Sequence, residues 1–135
     1  MELKPVNPTV KTPASNFTGD VYLTPIYRGQ EPSRMTVGLV RFTPGARTNW
    51  HSHAVGQTLH CTDGLGLVVS RDGSVVHLRP GDTVYTPPGE EHWHGAAADT
   101  FMSHLAMLEG RPDGGDPTTW LEPFPQDEYE KANRH

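Results

Sequence analysis

Five of the eight histidines in this 135-residue chain fall in two short clusters, His51-Ser52-His53 followed by His60, and His92-Trp93-His94. On a strand, residues two apart share a face, so His51 and His53 can aim their imidazoles at one point, and so can His92 and His94. Gln57 joins that face if a strand resumes after Ala54-Val55-Gly56, whereas His60, an odd step further on, turns away. Imidazole nitrogens and an amide oxygen suit manganese, iron, cobalt, nickel or zinc, and Cys61, the lone cysteine, has no second thiol with which to build a thiolate site. The plainer alternative is a set of ordinary polar surface or pocket histidines.

Short stretches of strand-forming residues must carry these groups: 21–26, 36–42, 58–62, 65–69, 75–78, 83–85 and 101–108. Turn signals separate them, among them Thr43-Pro44-Gly45, Asp63-Gly64, Arg79-Pro80-Gly81-Asp82 and Pro87-Pro88-Gly89. That spacing predicts an all-β sandwich or barrel, one domain over residues 1–135, since this length falls short of two domains. Residues 1–16 read as an N-terminal arm, 110–117 as a loop within an acidic tail covering 110–135, and 126–133 as a short terminal helix.

Charge narrows the function classes. Residues 1–108 hold nine acids and eight bases and residues 109–135 seven and three, which gives the net −5, so only the tail is acidic. Without a basic stripe, nucleic-acid binding is not expected. No apolar run is long enough for a membrane span or a signal peptide, and a lone cysteine excludes an internal disulfide, so a cytoplasmic protein is expected.

From Gly45 the chain reads GARTNWHSHAVGQTLHCTDG, and from Gly81 GDTVYTPPGEEHWHGA. These segments resemble the two conserved motifs of the cupin superfamily: Gly45, His51, His53, Gln57 and Gly64 match the spacing of the first, and Gly81, Pro87, Gly89 and His92 that of the second. Gln57 stands where a glutamate is usual, and Ala96 where an asparagine is common. The resemblance implies a jelly-roll β-barrel, in keeping with the strand pattern. It implies as metal ligands His51, His53, Gln57 and His92. For His94 three roles stay open: orienting His92, supporting the ligands from behind, or facing the pocket.

Three neutral histidines and a neutral glutamine leave a divalent cation its full charge, which favours anions. Four protein ligands in an octahedral shell leave two open positions, the arrangement of a catalytic metal rather than a closed structural zinc. The strings WHSHAVGQTL and PPGEEHWHGA, with His104 in MSHLAMLE, are similar to those of small bacterial cupins that are manganese-dependent (R)-selective hydroxynitrile lyases. That group keeps Gln as a ligand and has a histidine at the position of His104, which implies manganese and a catalytic base at His104, with His94 in reserve. It typically carries a glutamine where this chain has Leu108, which leaves the substrate open.

The competing readings are a three-histidine iron dioxygenase, a cupin isomerase or decarboxylase, and a small-ligand binding module without turnover. The expected partners are a small-molecule substrate and further copies of the chain, as a homodimer or homotetramer joined through edge strands and the arm. Several residues have plainer readings. Trp50 and Trp93 alternate away from the ligands and should pack outside the pocket. Arg47 is expected to pair with an acid, or else to hold an anionic substrate. Cys61 should be a small buried hydrophobe, Glu90 and Glu91 should be solvated, and His77 and His135 belong to no cluster.

Overall fold

The computed structural model describes residues 1–134; His135 lies outside them. In chain order the elements are β1 (Val10–Lys11), β2 (Phe17–Thr18), β3 (Val21–Arg28), β4 (Met35–Phe42), β5 (Arg47–Thr48), β6 (His51–His53) and β7 (Gln57–Gly64), then β8 (Gly66–Ser70), β9 (Val75–Leu78), β10 (Thr83–Thr86), β11 (His92–Ala96), β12 (Met102–Glu109), β13 (Thr118–Trp120) and α1 (Gln126–Arg134). The expected strands and terminal helix are all present. The short β1, β2, β5 and β13 were not expected as separate strands, because two or three residues carry too little alternation to register, and β6 and β11 were not among the expected stretches, having been considered only as strands that would align the histidine pairs. Of the stretch read as an arm, Val10–Lys11 pairs with β3, and residues 1–9 are largely exposed.

All pairings are antiparallel. One sheet runs β1-β3-β4-β12-β7-β10; in the other, β11 is the hub, flanked by β8 and β9 on one side and by β5 and β6 on the other, with β2 and β13 outside those. The inward side chains of both sheets merge into one core, where Val21, Val40, Phe42, Leu59 and Met102 meet Val68, Leu78 and Ala96. This is the expected all-β barrel.

A second core lies on the outer side of the β11 sheet. Trp50, Leu67, Val69 and Trp93 are covered there by Phe124, Tyr129 and Ala132. In α1 the acids Asp127 and Glu128 occupy the first turn and Lys131 and Arg134 the last, which complements the helix dipole, while Tyr129 and Ala132, three apart, form the buried face. The Tyr129 hydroxyl donates to the Ala96 carbonyl at 2.6 Å. Because both faces of β11 are covered, all five of its residues are buried. Gly95 suits this crowding, since a Cβ there would lie 2.5 Å from the Ala46 carbonyl oxygen.

Candidate metal centre

β6 presents His51 and His53 inward, and its pairing with β11 sets His92 directly opposite His51. On its other side β6 pairs with β13, which places Thr118 beside His53 and Trp120 beside His51. The ring centroids lie 4.3 Å apart for His51 and His92, 5.0 Å for His51 and His53, and 5.5 Å for His53 and His92. Each of the three offers a nitrogen, and these nitrogens all lie within 4.8 Å of one another. Gly56, at φ 80°, takes the left-handed turn that reverses the chain between β6 and β7 and delivers Gln57 to the same buried interior. The Gln57 side chain lies against His53. His60 faces outward, its Nδ1 2.8 Å from the Thr83 hydroxyl, as the odd spacing required.

Hydrogen bonding orients the imidazoles. His51 Nδ1 donates to the Asn49 carbonyl at 2.9 Å and His92 Nδ1 to the Glu90 carbonyl at 3.0 Å. A carbonyl only accepts, so each ring carries its hydrogen on Nδ1 and keeps a lone pair on Nε2. His53 Nδ1 lies 3.1 Å from the Thr118 hydroxyl. His53 Nε2, His92 Nε2 and Gln57 Oε1 are buried and have no hydrogen-bond partner among the described residues. His92 Nε2 and Gln57 Oε1 are buried lone pairs without donors, and His53 Nε2 is a third when its hydrogen sits on Nδ1, toward Thr118; a divalent cation would satisfy all of them at once, so the donor set fits such an ion. These tautomers are the ones a metal requires.

Burial also keeps the rings neutral. It pushes His53 and His104 down to about 4, and His51, His92 and His94 also below the ordinary imidazole value; for His51, His53 and His94 the neighbouring histidines add to the effect. His94 lies against the triad, its ring 5.1 Å from that of His51 and stacked at 5.7 Å with that of His92. Behind it His104 Nε2 sits 3.0 Å from His94 Nδ1, and Phe42 packs against both rings. The backbone of His94 is fixed by an N–H···Oγ1 bond to Thr48 of 3.2 Å. His104 points inward with Met102 and Ala106, two steps away on either side, and opposite the buried Val40, while a register shift in the β12–β7 ladder beyond Ser103 sets it opposite Cys61.

A groove of about 260 Å3 opens beside Gln57, walled by Val55, Gly56, Tyr85, Met107 and Leu108. Leu108 pairs directly with Gln57 across the sheet, so a branched apolar side chain stands next to the amide.

The remaining residues fall outside this chemistry. Trp50 and Trp93 pack in the outer core, and Cys61 is fully buried in the inner one, where burial pushes its thiol up. Arg47 corrects an expectation: it has no acidic partner among the described residues, but stacks 4.4 Å over Tyr129 and donates to the Gly45 and Phe124 carbonyls. It lies under the C-terminal segment, away from the groove. Glu91 is not simply solvated, since it pairs with Arg71 at 2.7 Å. Thr118 and Asn49 were missed, because a hydroxyl and a carbonyl that orient ligands leave no mark in the spacing of the histidines.

Residues 38–107 match the family described as Cupin domain. Over 97% of its length the chain is 43% identical to the whole of the (R)-mandelonitrile lyase of Granulicella tundricola. The structure resembles a cupin-like protein from Thermotoga maritima, with a TM-score of 0.83 and 35% identity over 98% of this chain and 97% of that one. A shorter likeness, 38% over 47 residues, relates 33% of the chain to 28% of an acireductone dioxygenase from Rhodopseudomonas palustris. With its two-sheet barrel, its buried histidine triad and this family match, the chain belongs to the cupin family.

Proposed function

We propose that the protein is a metal-dependent hydroxynitrile lyase that cleaves or forms cyanohydrins, with one divalent cation, manganese first among the candidates, held by His51, His53, Gln57 and His92. The observation that carries this reading is the convergence of buried, donorless His53 Nε2, His92 Nε2 and Gln57 Oε1, in a chain similar from end to end to an (R)-mandelonitrile lyase. A cation bound there supplies Lewis acidity, which acidifies a hydroxyl and favours a leaving anion. Gln57 contributes no negative charge, so the site keeps more attraction for cyanide than one with a glutamate.

His104 takes the substrate proton, with His94 as its hydrogen-bonded partner. Both rings are neutral near pH 7 because burial disfavours the charged form. In a neutral pair joined through His104 Nε2 and His94 Nδ1, only one of the two outer nitrogens, His104 Nδ1 or His94 Nε2, carries a lone pair at a time. The pair therefore accepts one proton as a unit. Leu108, Val55 and Met107 give the groove beside Gln57 an apolar stretch, with Thr58 and Glu109 also on its wall, and its volume suits a small cyanohydrin with an aromatic or aliphatic substituent.

The direct test is benzaldehyde release from mandelonitrile by manganese-loaded protein, followed against buffer. Release above the buffer rate is expected; none across a panel of aromatic and aliphatic cyanohydrins would reject the lyase. The likeness to part of an acireductone dioxygenase supports a second reading, a three-histidine iron oxygenase. Oxygen consumption by the iron form with small diketones, thiols or phenols separates the two.

A further inference from the structure

Arg71 continues β8 by one residue past Ser70. Leu67 and Val69 belong to the outer core, so alternation places Arg71 on that outer face as well. The register sets Ser70 opposite His92, which brings Arg71 beside Glu91. Its guanidinium meets three groups. Nε donates to Glu91 Oε1 at 2.7 Å, Nη2 and Nη1 donate to the two Glu122 oxygens at 2.7 and 3.2 Å, and Cζ lies 4.0 Å from the centroid of the Trp50 ring. Single exposed ion pairs contribute little, but a bidentate and stacked arginine in a network of charges holds a fixed geometry. Glu122 is itself anchored there: its carbonyl accepts from the Trp50 amide at 2.9 Å, and the Leu121 amide donates to the Trp50 carbonyl at 2.8 Å.

Trp50 and Glu91 hold matching positions in two ligand segments. In Asn49-Trp50-His51 and in Glu90-Glu91-His92, the carbonyl two residues before the histidine accepts its Nδ1–H, at 2.9 and 3.0 Å. The residue between is the one that Arg71 grips. Turning either middle residue about its backbone carries the carbonyl away from the ring, and the hydrogen that leaves Nε2 with its lone pair then loses its acceptor. One side chain thus touches both orienting units. Because it lies on the face opposite the imidazoles, Arg71 acts through Trp50 and Glu91 rather than on substrate.

We propose that Arg71 is a positioning residue, a single guanidinium that sets the tautomer and aim of His51 and His92 together from the outer side of the sheet. Its effect on metal affinity rests on the metal centre proposed above, whereas its effect on the two rings does not, so the two are measured separately. Long-range 1H–15N NMR of metal-free protein should show His51 and His92 as Nδ1–H tautomers in the wild type. Arg71→Met keeps the stem over Trp50 and loses the fork; it should give mixed tautomers at these two rings and leave His60, on the other sheet, unchanged. Affinity of the folded variant for Mn2+ alone, read by titration, should fall about ten-fold. Arg71→Lys, which keeps the charge but cannot fork, should regain only part of it. Wild-type tautomers at both rings in Arg71→Met overturn the proposal, even where its urea midpoint falls, because Arg71 then only stabilises the fold. Mixed tautomers with unchanged Mn2+ affinity overturn the link to the metal, and full recovery in Arg71→Lys overturns the role of the fork. Wild-type protein that binds no Mn2+ removes the metal reading, and the tautomers still decide the positioning. Should Arg71→Met fail to fold, Glu91→Gln, which removes one exposed arm of the network, should disturb His92 and spare His51; an unchanged His92 ring overturns the proposal.

Discussion

His104 Nε2 and His94 Nδ1 lie 3.0 Å apart in the interior of the barrel, and a single hydrogen joins them. Removing either ring from such a unit removes the function of both. His104→Ala and His94→Ala should each lower mandelonitrile cleavage about 10²-fold or more. The double variant should lose little beyond either single one, since groups that act together are not additive. Metal content should stay near one per chain in all three. Fully multiplicative losses would show the two rings acting separately.

The ligand set makes a sharper prediction about metal than about rate. His51→Ala and His92→Ala should abolish stoichiometric metal, as read by elemental analysis of protein from manganese-rich and iron-rich media. Undiminished metal in both would remove them from the ligand set.

Gln57→Glu exchanges a neutral oxygen for an anionic one at nearly the same reach. The variant should hold its cation as well or better, and bind cyanide or azide more weakly, because the net charge at the centre falls. Titration with either anion checks the sign; equal or tighter binding contradicts it.

Burial of uncharged histidines sets the pH response of metal-free protein. His53 and His104 titrate at about 4 in the folded chain and near the ordinary imidazole value of 6.5 when unfolded. Between those values the unfolded chain binds more protons, so stability rises with pH and is lost as pH falls from 6.5 toward 4. A shift of that size corresponds to roughly 3 kcal/mol per group. Urea midpoints of metal-free protein should therefore drop steeply through that window and stay level above pH 7. A flat profile between pH 7 and 4.5 would contradict the burial of the two rings.

Tyr129→Phe removes the donor to the Ala96 carbonyl while keeping the ring over Trp93 and under Arg47. Loss of one buried hydrogen bond costs about 1–2 kcal/mol, or several degrees of melting temperature in a domain of this size. Calorimetry measures it, and the variant should still bind metal.

Much of the centre was legible because strand parity is a strict rule. Steps of two put His51 with His53 and His92 with His94, and the odd step put His60 outside. Parity also placed Trp50 and Trp93 away from the ligands, which is where the outer core lies. What parity does not encode is contact between distant segments. Thr118 lies in a stretch read as part of an acidic tail, and only the β6–β13 pairing brings it to His53. Arg47 failed for a related reason: an aromatic face and two carbonyls, reached through the return of the chain at Phe124, replace the acid that a buried cation suggests.

β11 is buried on both faces, with imidazoles on one side and the C-terminal segment on the other. Its amides should therefore be among the slowest to exchange with deuterium, and their protection depends on a cover that touches no ligand. Clipping the chain beyond Trp120 takes away Phe124 and Tyr129 and bares Trp93. The back of the candidate metal centre would then be open to water, so metal retention after such a cut is expected to report whether the C-terminal segment is seated.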